Sequence, residues 1–196
     1  MKKLFLLTLS LFLFSNIIAQ NKLSLELKDG TAMDGFGRIK NNETILFKKT
    51  EDAEKEFYNY TTVKKIILYA DDSEQNYEYK IIEDFNGIRN IILLEILKIG
   101  KVNLYQNYGD GIVYHGPITP SGFGGSSYSK TKYYLSKSED DIVTNLKNGN
   151  TYSKRFKKIA KTYFTSCPDL LEKINNKFFK RYEIHSVVEY FNEKCN

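Results

Sequence analysis

Leu23-Ser24-Leu25-Glu26-Leu27-Lys28-Asp29-Gly30 alternates apolar and polar side chains and then stops on an Asp-Gly pair. A period of two places the three leucines on one face of an extended strand, and Asp-Gly readily adopts the positive φ of a tight hairpin turn. The same pattern recurs downstream. A second strand is predicted over 31–40, with Gly35 and Gly37 marking a bend or bulge, and a third over 44–48. Further strands are predicted at 57–60, 65–70, 76–83, 90–98, 101–107, 131–137 and 141–146, separated by turns such as Asp71-Asp72-Ser73 and Gly100-Lys101. Short strands with frequent turns imply a largely antiparallel meander that curls into a barrel or a strongly bent sheet.

One stretch breaks the pattern. Residues 109–130 hold Gly109, Gly111, Gly116, Gly122, Gly124 and Gly125 with Pro117 and Pro120, which predicts a long Gly-rich loop. Loops of that length are uncommon and often functional.

After Gly149 the period changes to that of a helix. Phe156, Ile159, Ala160, Tyr163 and Phe164 fall on one helical face. Pro168 suits the first position of a second helix, predicted over 168–178 through Leu170, Leu171, Ile174 and Phe178. Ile184, Val187, Val188 and Phe191 give a third, over 183–194. The fold class is therefore α+β. An antiparallel β-rich meander, a curled sheet or small barrel, fills 20–147, and a C-terminal three-helix unit over 148–196 packs on it.

The N-terminus reads as an address. Lys2 and Lys3 precede an apolar run from Leu4 to Phe14, and Ile17-Ile18-Ala19 offers a small residue at a cleavage point. Residues 1–19 are thus expected to be a signal peptide, the run being too short to span a bilayer as a helix. No later window is apolar enough to be a transmembrane segment. Losing Lys2 and Lys3 lowers the formal net charge from +5 to +3. That mild balance argues against nucleic acid as a partner, which calls for a concentrated basic face. Export is the expected localisation: periplasmic, outer-membrane-associated or secreted.

The two cysteines fit that compartment. Helices 168–178 and 183–194, joined by a short turn, lie antiparallel, so the start of one neighbours the end of the other. Cys167 and Cys195 occupy those ends, and a disulfide between them is expected.

Several of these segments together resemble a known group. They are Lys28-Asp29-Gly30-Thr31, the glycines at 35 and 37, and Leu93-Leu94-Glu95-Ile96-Leu97-Lys98-Ile99-Gly100-Lys101-Val102-Asn103-Leu104-Tyr105. Near the C-terminus come Ser166-Cys167-Pro168-Asp169-Leu170 and Glu189-Tyr190-Phe191-Asn192-Glu193-Lys194-Cys195. The chain resembles an uncharacterised exported (periplasmic or outer-membrane-associated) protein family of Bacteroidota-type bacteria. That resemblance implies an envelope setting and brings no catalytic residues. Ser166 and the Phe191-Asn192 pair depart from the group's pattern of an Asp before Cys-Pro and a Tyr-Asn near the last Cys. The first hairpin also resembles Sm-like or SH3-like barrels locally.

Chemistry-bearing residues are sparse. His115 lies in Tyr114-His115-Gly116 with Asp110 as the nearby carboxylate, and Ser121, Ser126 and Ser127 follow among glycines. No Gly-x-Ser-x-Gly elbow, Walker A loop or His-Glu-x-x-His pair accompanies them. His185 is read as a packing or surface residue of the third helix. The acids at 71–74 and 139–141 lack the spacing of a calcium loop and read as polar turns. Lys154, Arg155, Lys157, Lys158 and Lys161 oppose the apolar face of the first helix. They suit either an ordinary packed helix or a membrane-surface helix over 152–165.

No metal or cofactor is expected, and no catalytic residue is assigned. The favoured expectation is a non-enzymatic exported binding module that presents Tyr114, His115 and Tyr128 to an envelope protein or glycan. The alternatives are a small periplasmic hydrolase-like enzyme using His115 with the loop serines and Asp110, or a peripheral membrane-surface protein.

Overall fold

The computed structural model describes residues 21–40, 43–70, 73–83, 86–114 and 125–195, with backbone alone at 108–114 and 125–130. The signal-peptide assignment therefore lies outside the described residues, as do His115, Ser121 and the Asp71-Asp72 turn.

Among the described residues ten strands form one continuous sheet: β1 (Asn21–Leu27), β2 (Ala32–Lys40), β3 (Thr44–Lys48), β4 (Glu56–Tyr58), β5 (Val63–Ala70), β6 (Ser73–Glu83), β7 (Arg89–Lys98), β8 (Val102–Tyr114), β9 (Gly125–Lys137) and β10 (Ile142–Lys147). Their order is β10-β9-β8-β7-β6-β5-β1-β2-β3-β4. Every neighbouring pair in that order is antiparallel. One further pairing closes part of the sheet: β10 lies parallel to β6 through Ile142↔Ile81 and Val143↔Ile82. Strands β6 to β10 thus make a small closed barrel, and β1 to β5 continue as a curled sheet from the first half of β6.

The β6–β7 hairpin is a wall between two cores. Tyr77, Tyr79 and Leu93 face the N-terminal core with Leu23, Leu25, Ile45, Phe47, Val63 and Ile66. Ile82, Ile92, Leu94 and Ile96 face the barrel core with Tyr105, Tyr134 and Val143. A strand buried on both faces must be apolar on both, which explains the run Ile92-Leu93-Leu94.

The glycines of β2 serve a different purpose from the one expected. The β1–β2 and β2–β3 registers run without a shift, so no bulge is present. A Cβ at Gly35 would instead run into the Lys48 carbonyl oxygen, and one at Gly37 into that of Leu46. Glycine here allows β3 to come close.

Three helices cover the outer face of the barrel: α1 (Lys154–Tyr163), α2 (Pro168–Asn175) and α3 (Ile184–Lys194). Val102, Leu104, Leu135 and Leu146 point out of the barrel into Phe156, Phe164, Leu170, Ile184, Val188 and Phe191. Ser153 caps α1, its hydroxyl accepting the Phe156 N–H at 3.1 Å. Helix α2 is shorter than predicted. It ends at Asn175 because Lys177 takes a positive φ of 58°, which swings Phe178 out of phase with the apolar face. Cys167 and Cys195 are joined, with Cα atoms 5.5 Å apart, tying the start of α2 to the end of α3.

Asn192 fastens α3 to the barrel. Its amide accepts the Val102 N–H at 3.0 Å and donates to the Val102 carbonyl at 2.9 Å, as a neighbouring strand would. Gly100 leaves room for this amide, since a Cβ there would collide with it.

Candidate functional site

The segment 109–130 is strand for much of its length, which corrects the expectation of a loop. Strands β8 and β9 pair in unbroken register from Val102↔Lys137 out to Tyr114↔Gly125. Pairing of β8 with β7 stops at Gln106, and pairing of β9 with β10 starts at Tyr133. From Asn107 and Lys132 outward the two strands pair only with each other, for eight residue pairs. At about 3.4 Å per residue this is an arm roughly 27 Å long. No third strand joins either edge of it among the described residues. Asn107 steadies the base, its amide donating to the Leu93 carbonyl at 3.2 Å.

The register separates the residues singled out from sequence. Tyr114 stands opposite Gly125, whereas Tyr128 stands opposite Gly111, nearer the body. Asp110 pairs with Ser129, Ser127 with Ile112 and Ser126 with Val113. The structure brings Tyr114, Tyr128, Asp110, Ser126 and Ser127 onto one two-stranded ribbon.

A second cluster was not legible in the sequence. Lys80, only 7 % exposed, projects from β6 into the mouth of the barrel. Its Nζ lies 3.3 Å from Glu78 Oε1 and 3.8 Å from Asp141 Oδ1, and donates to the Asp140 carbonyl at 3.2 Å. Tyr105 donates its hydroxyl to the same Glu78 oxygen at 2.6 Å. That hydroxyl accepts from Asn103 Nδ2 at 3.2 Å and Ser136 Oγ at 3.4 Å. Burial, and then the Glu78 carboxylate, push the Tyr105 phenol well above its ordinary pKa. Tyr105 is therefore a neutral donor at physiological pH and no phenolate nucleophile.

The cluster works as a clamp, linking β6, β8, β9 and the turn before β10 where only two ladder pairs close the barrel. Among the described residues no buried side-chain polar atom lacks a partner. Its one legible sign was the alternation Tyr77-Glu78-Tyr79-Lys80. That pattern puts Glu78 and Lys80 on one face without saying that the face is interior.

Between the β6–β7 hairpin and the start of β3, an open cleft of about 380 Å³ runs past Tyr60, Tyr79, Arg89 and Asn90. The Tyr60 and Tyr79 rings meet edge to face with centroids 6.2 Å apart. Tyr79 donates to the Glu43 carbonyl at 2.7 Å. Burial, and then the Glu43 charge, raise its phenol to about 12.

Two cations of α1 are held by backbone carbonyls. Arg155 donates to the Asn145 carbonyl at 2.9 Å and Lys157 to that of Asn175 at 3.2 Å. Phe156 and Ala160 lie beneath, so α1 is a packed helix with its cations at the rim. His185 packs edge-on to Tyr133, with centroids 5.7 Å apart. No group of three or more His, Cys, Asp or Glu that could hold a metal ion occurs among the described residues. No described helix is long and apolar enough to cross a membrane. No protein-family model, curated protein or solved structure matches the chain.

Proposed function

We propose that this chain is an exported, non-enzymatic binding module of the cell envelope that engages a partner protein through the β8–β9 arm. One observation carries the reading: eight residue pairs of two-stranded ribbon stand beyond the barrel, and among the described residues no strand joins either edge. An open strand edge presents a row of N–H and C=O groups that an extended segment of another chain can complete. Tyr114 and Tyr128 belong to that ribbon and His115 follows in sequence, and in this reading the three are the recognition residues. Tyrosine gives large amphipathic contact area at low entropic cost.

The buried disulfide supports the export half of the reading, since such bonds persist in oxidising compartments. In that setting the clamp around Tyr105 and the helical layer form a rigid mount for the arm.

The test replaces residues 112–128 by a two-residue turn. The thermal midpoint is expected to hold within a few degrees, while capture of envelope proteins by in-cell crosslinking and pulldown is lost. Undiminished capture of the same partner by the shortened chain would remove the arm from the contact.

A further inference from the structure

The turn between α2 and α3 reads Lys177-Phe178-Phe179-Lys180-Arg181-Tyr182, and it holds an aromatic side chain in water. Phe179 is the buried anchor, packed against Tyr190 with centroids 6.1 Å apart. Phe178 is 69 % exposed and Tyr182 58 %. The backbone that carries them is firmly tied. The Phe178 N–H donates to the Lys173 carbonyl at 2.9 Å. The Thr151 N–H donates to the Arg181 carbonyl at 2.8 Å, and the Thr151 hydroxyl to that of Lys180 at 3.0 Å. Glu183 Oε2 accepts the Lys180 N–H at 3.0 Å.

Cations surround this aromatic tip. Residues 173–182 contain Lys173, Lys177, Lys180 and Arg181 and no acid. Lys173 Nζ lies 5.1 Å from the centre of the Phe178 ring. Lys177 and Arg181 both lie against the ring of Tyr152, at 5.6 and 5.7 Å. Two of the three flanking acids are engaged, Asp169 with Lys173 at 3.4 Å and Glu183 with Lys180 at 3.4 Å, while Glu172 stands exposed beside Lys173. Lys177 and Arg181 are the tip's cations outside those pairs, and with Glu172 counted residues 169–183 keep an excess of one positive charge.

We infer that this turn docks the protein on an anionic phospholipid surface, with Phe178 entering the interface and Lys177 and Arg181 meeting lipid phosphates. Two features single out a lipid surface. The tip's apolar part is a projecting ring rather than a cleft. Its charge complements the negative surface of a phospholipid leaflet. The inference is independent of the arm, because it uses a different part of the fold.

The chain contains no tryptophan, so Phe178→Trp places a single fluorophore at the tip. Vesicles of phosphatidylglycerol and phosphatidylcholine in equal parts are expected to shift its emission to the blue. The shift should shrink as salt is added, because the phosphate contacts are screened. In co-sedimentation with the same vesicles, Phe178→Ser is expected to weaken the native chain's binding about tenfold. The Lys177→Glu, Arg181→Glu pair is expected to weaken it further. All of these positions are exposed, so an unchanged thermal midpoint certifies folding. An emission maximum that does not move at low salt overturns the proposal. So does equal binding to phosphatidylcholine alone, or an equal blue shift with heparin in place of vesicles, which marks a site for soluble polyanions.

Discussion

The curled sheet of β1 to β5 and the barrel of β6 to β10 share the β6–β7 wall, yet they are closed by different means. The first ends in β4, three residues long, and its core rests on seven buried side chains. The second returns β10 to β6, carries the Lys80–Glu78–Tyr105 clamp, and is roofed by three helices and a disulfide. Side chains of the shared wall serve both cores at once, so loss of the barrel removes the floor of the N-terminal lobe. The reverse does not follow. The comparison teaches an order of opening, with the N-terminal lobe first and the barrel and its helices last.

Matched cavities in the two lobes test that order most severely. Phe164 is fully buried beside Phe191, with ring centroids 4.9 Å apart. Phe164→Ala is expected to cost about 3–5 kcal/mol in urea unfolding and to expose amides in both lobes. Phe47→Ala, from an equally dry site in the N-terminal core, is expected to cost a similar amount locally. It should leave β8, β9 and α3 protected from hydrogen exchange. If Phe47→Ala opens β8 and α3 at the same rate as β1, the two lobes are one cooperative unit.

The disulfide sharpens the same contrast. Cys167 and Cys195 are separated by 28 residues in sequence, so breaking their bond frees a loop whose closure is worth about 3–4 kcal/mol. The Cys167→Ser, Cys195→Ser pair should lower the free energy of urea unfolding by that amount, with loss of protection confined at first to α2 and α3. Equal loss of protection in β1 to β3 would show that the staple acts on the whole chain.

Local signals carried most of this architecture, and non-local ones carried little. The alternation in Leu23-Ser24-Leu25-Glu26-Leu27, the Asp29-Gly30 turn and the helical spacing of Phe156, Ala160 and Phe164 each act within a few residues, and the structure keeps them all. The parallel closure of β10 on β6 joins residues some sixty positions apart through two pairs, and no local pattern announces it. The arm was misread for a related reason. Glycine lowers strand propensity residue by residue, but the β8–β9 register is inherited from the strong pairing at its base. Phe178 misled in the opposite direction, since its spacing continues the α2 face while Lys177 has already turned the chain away. At the site, Tyr114 and Tyr128 were legible as aromatic residues in a glycine-rich segment. The clamp was not, because Glu78, Lys80 and Tyr105 meet only once the barrel closes.

A smaller effect is expected where helix meets strand. Asn192 gives both halves of its amide to Val102, and alanine there would leave a partly buried N–H and C=O without those partners. Asn192→Ala should cost about 1–3 kcal/mol. It should also increase exchange at the Val102 amide, whereas Asn192→Gln should fail to restore protection because one more methylene moves the amide off the two Val102 groups it meets at 3.0 and 2.9 Å. Recovery by glutamine would mean that the amide pairing tolerates displacement and is a weaker tie than its geometry implies.

The least of these effects follows from His185, which faces Tyr133, Lys98 and Glu189. Burial first, and then the Lys98 charge, hold its imidazole below the ordinary value of 6.5, with Glu189 opposing them. A base whose folded pKa is lowered prefers to stay neutral in the native state. The unfolded chain then binds the proton first as pH falls, so the native state loses stability as pH drops through 6.5 and the folded value beneath it. The carboxyls of Asp29 and Asp169 act in a lower window, because both sit below the ordinary carboxylate value of 3.8. Subtracting the urea midpoints of His185→Gln from those of the native chain, between about pH 7 and 5, isolates the histidine. The difference should decline on acidification. A rising difference would mean that the charged imidazole is the favoured form and that Glu189 outweighs both burial and Lys98.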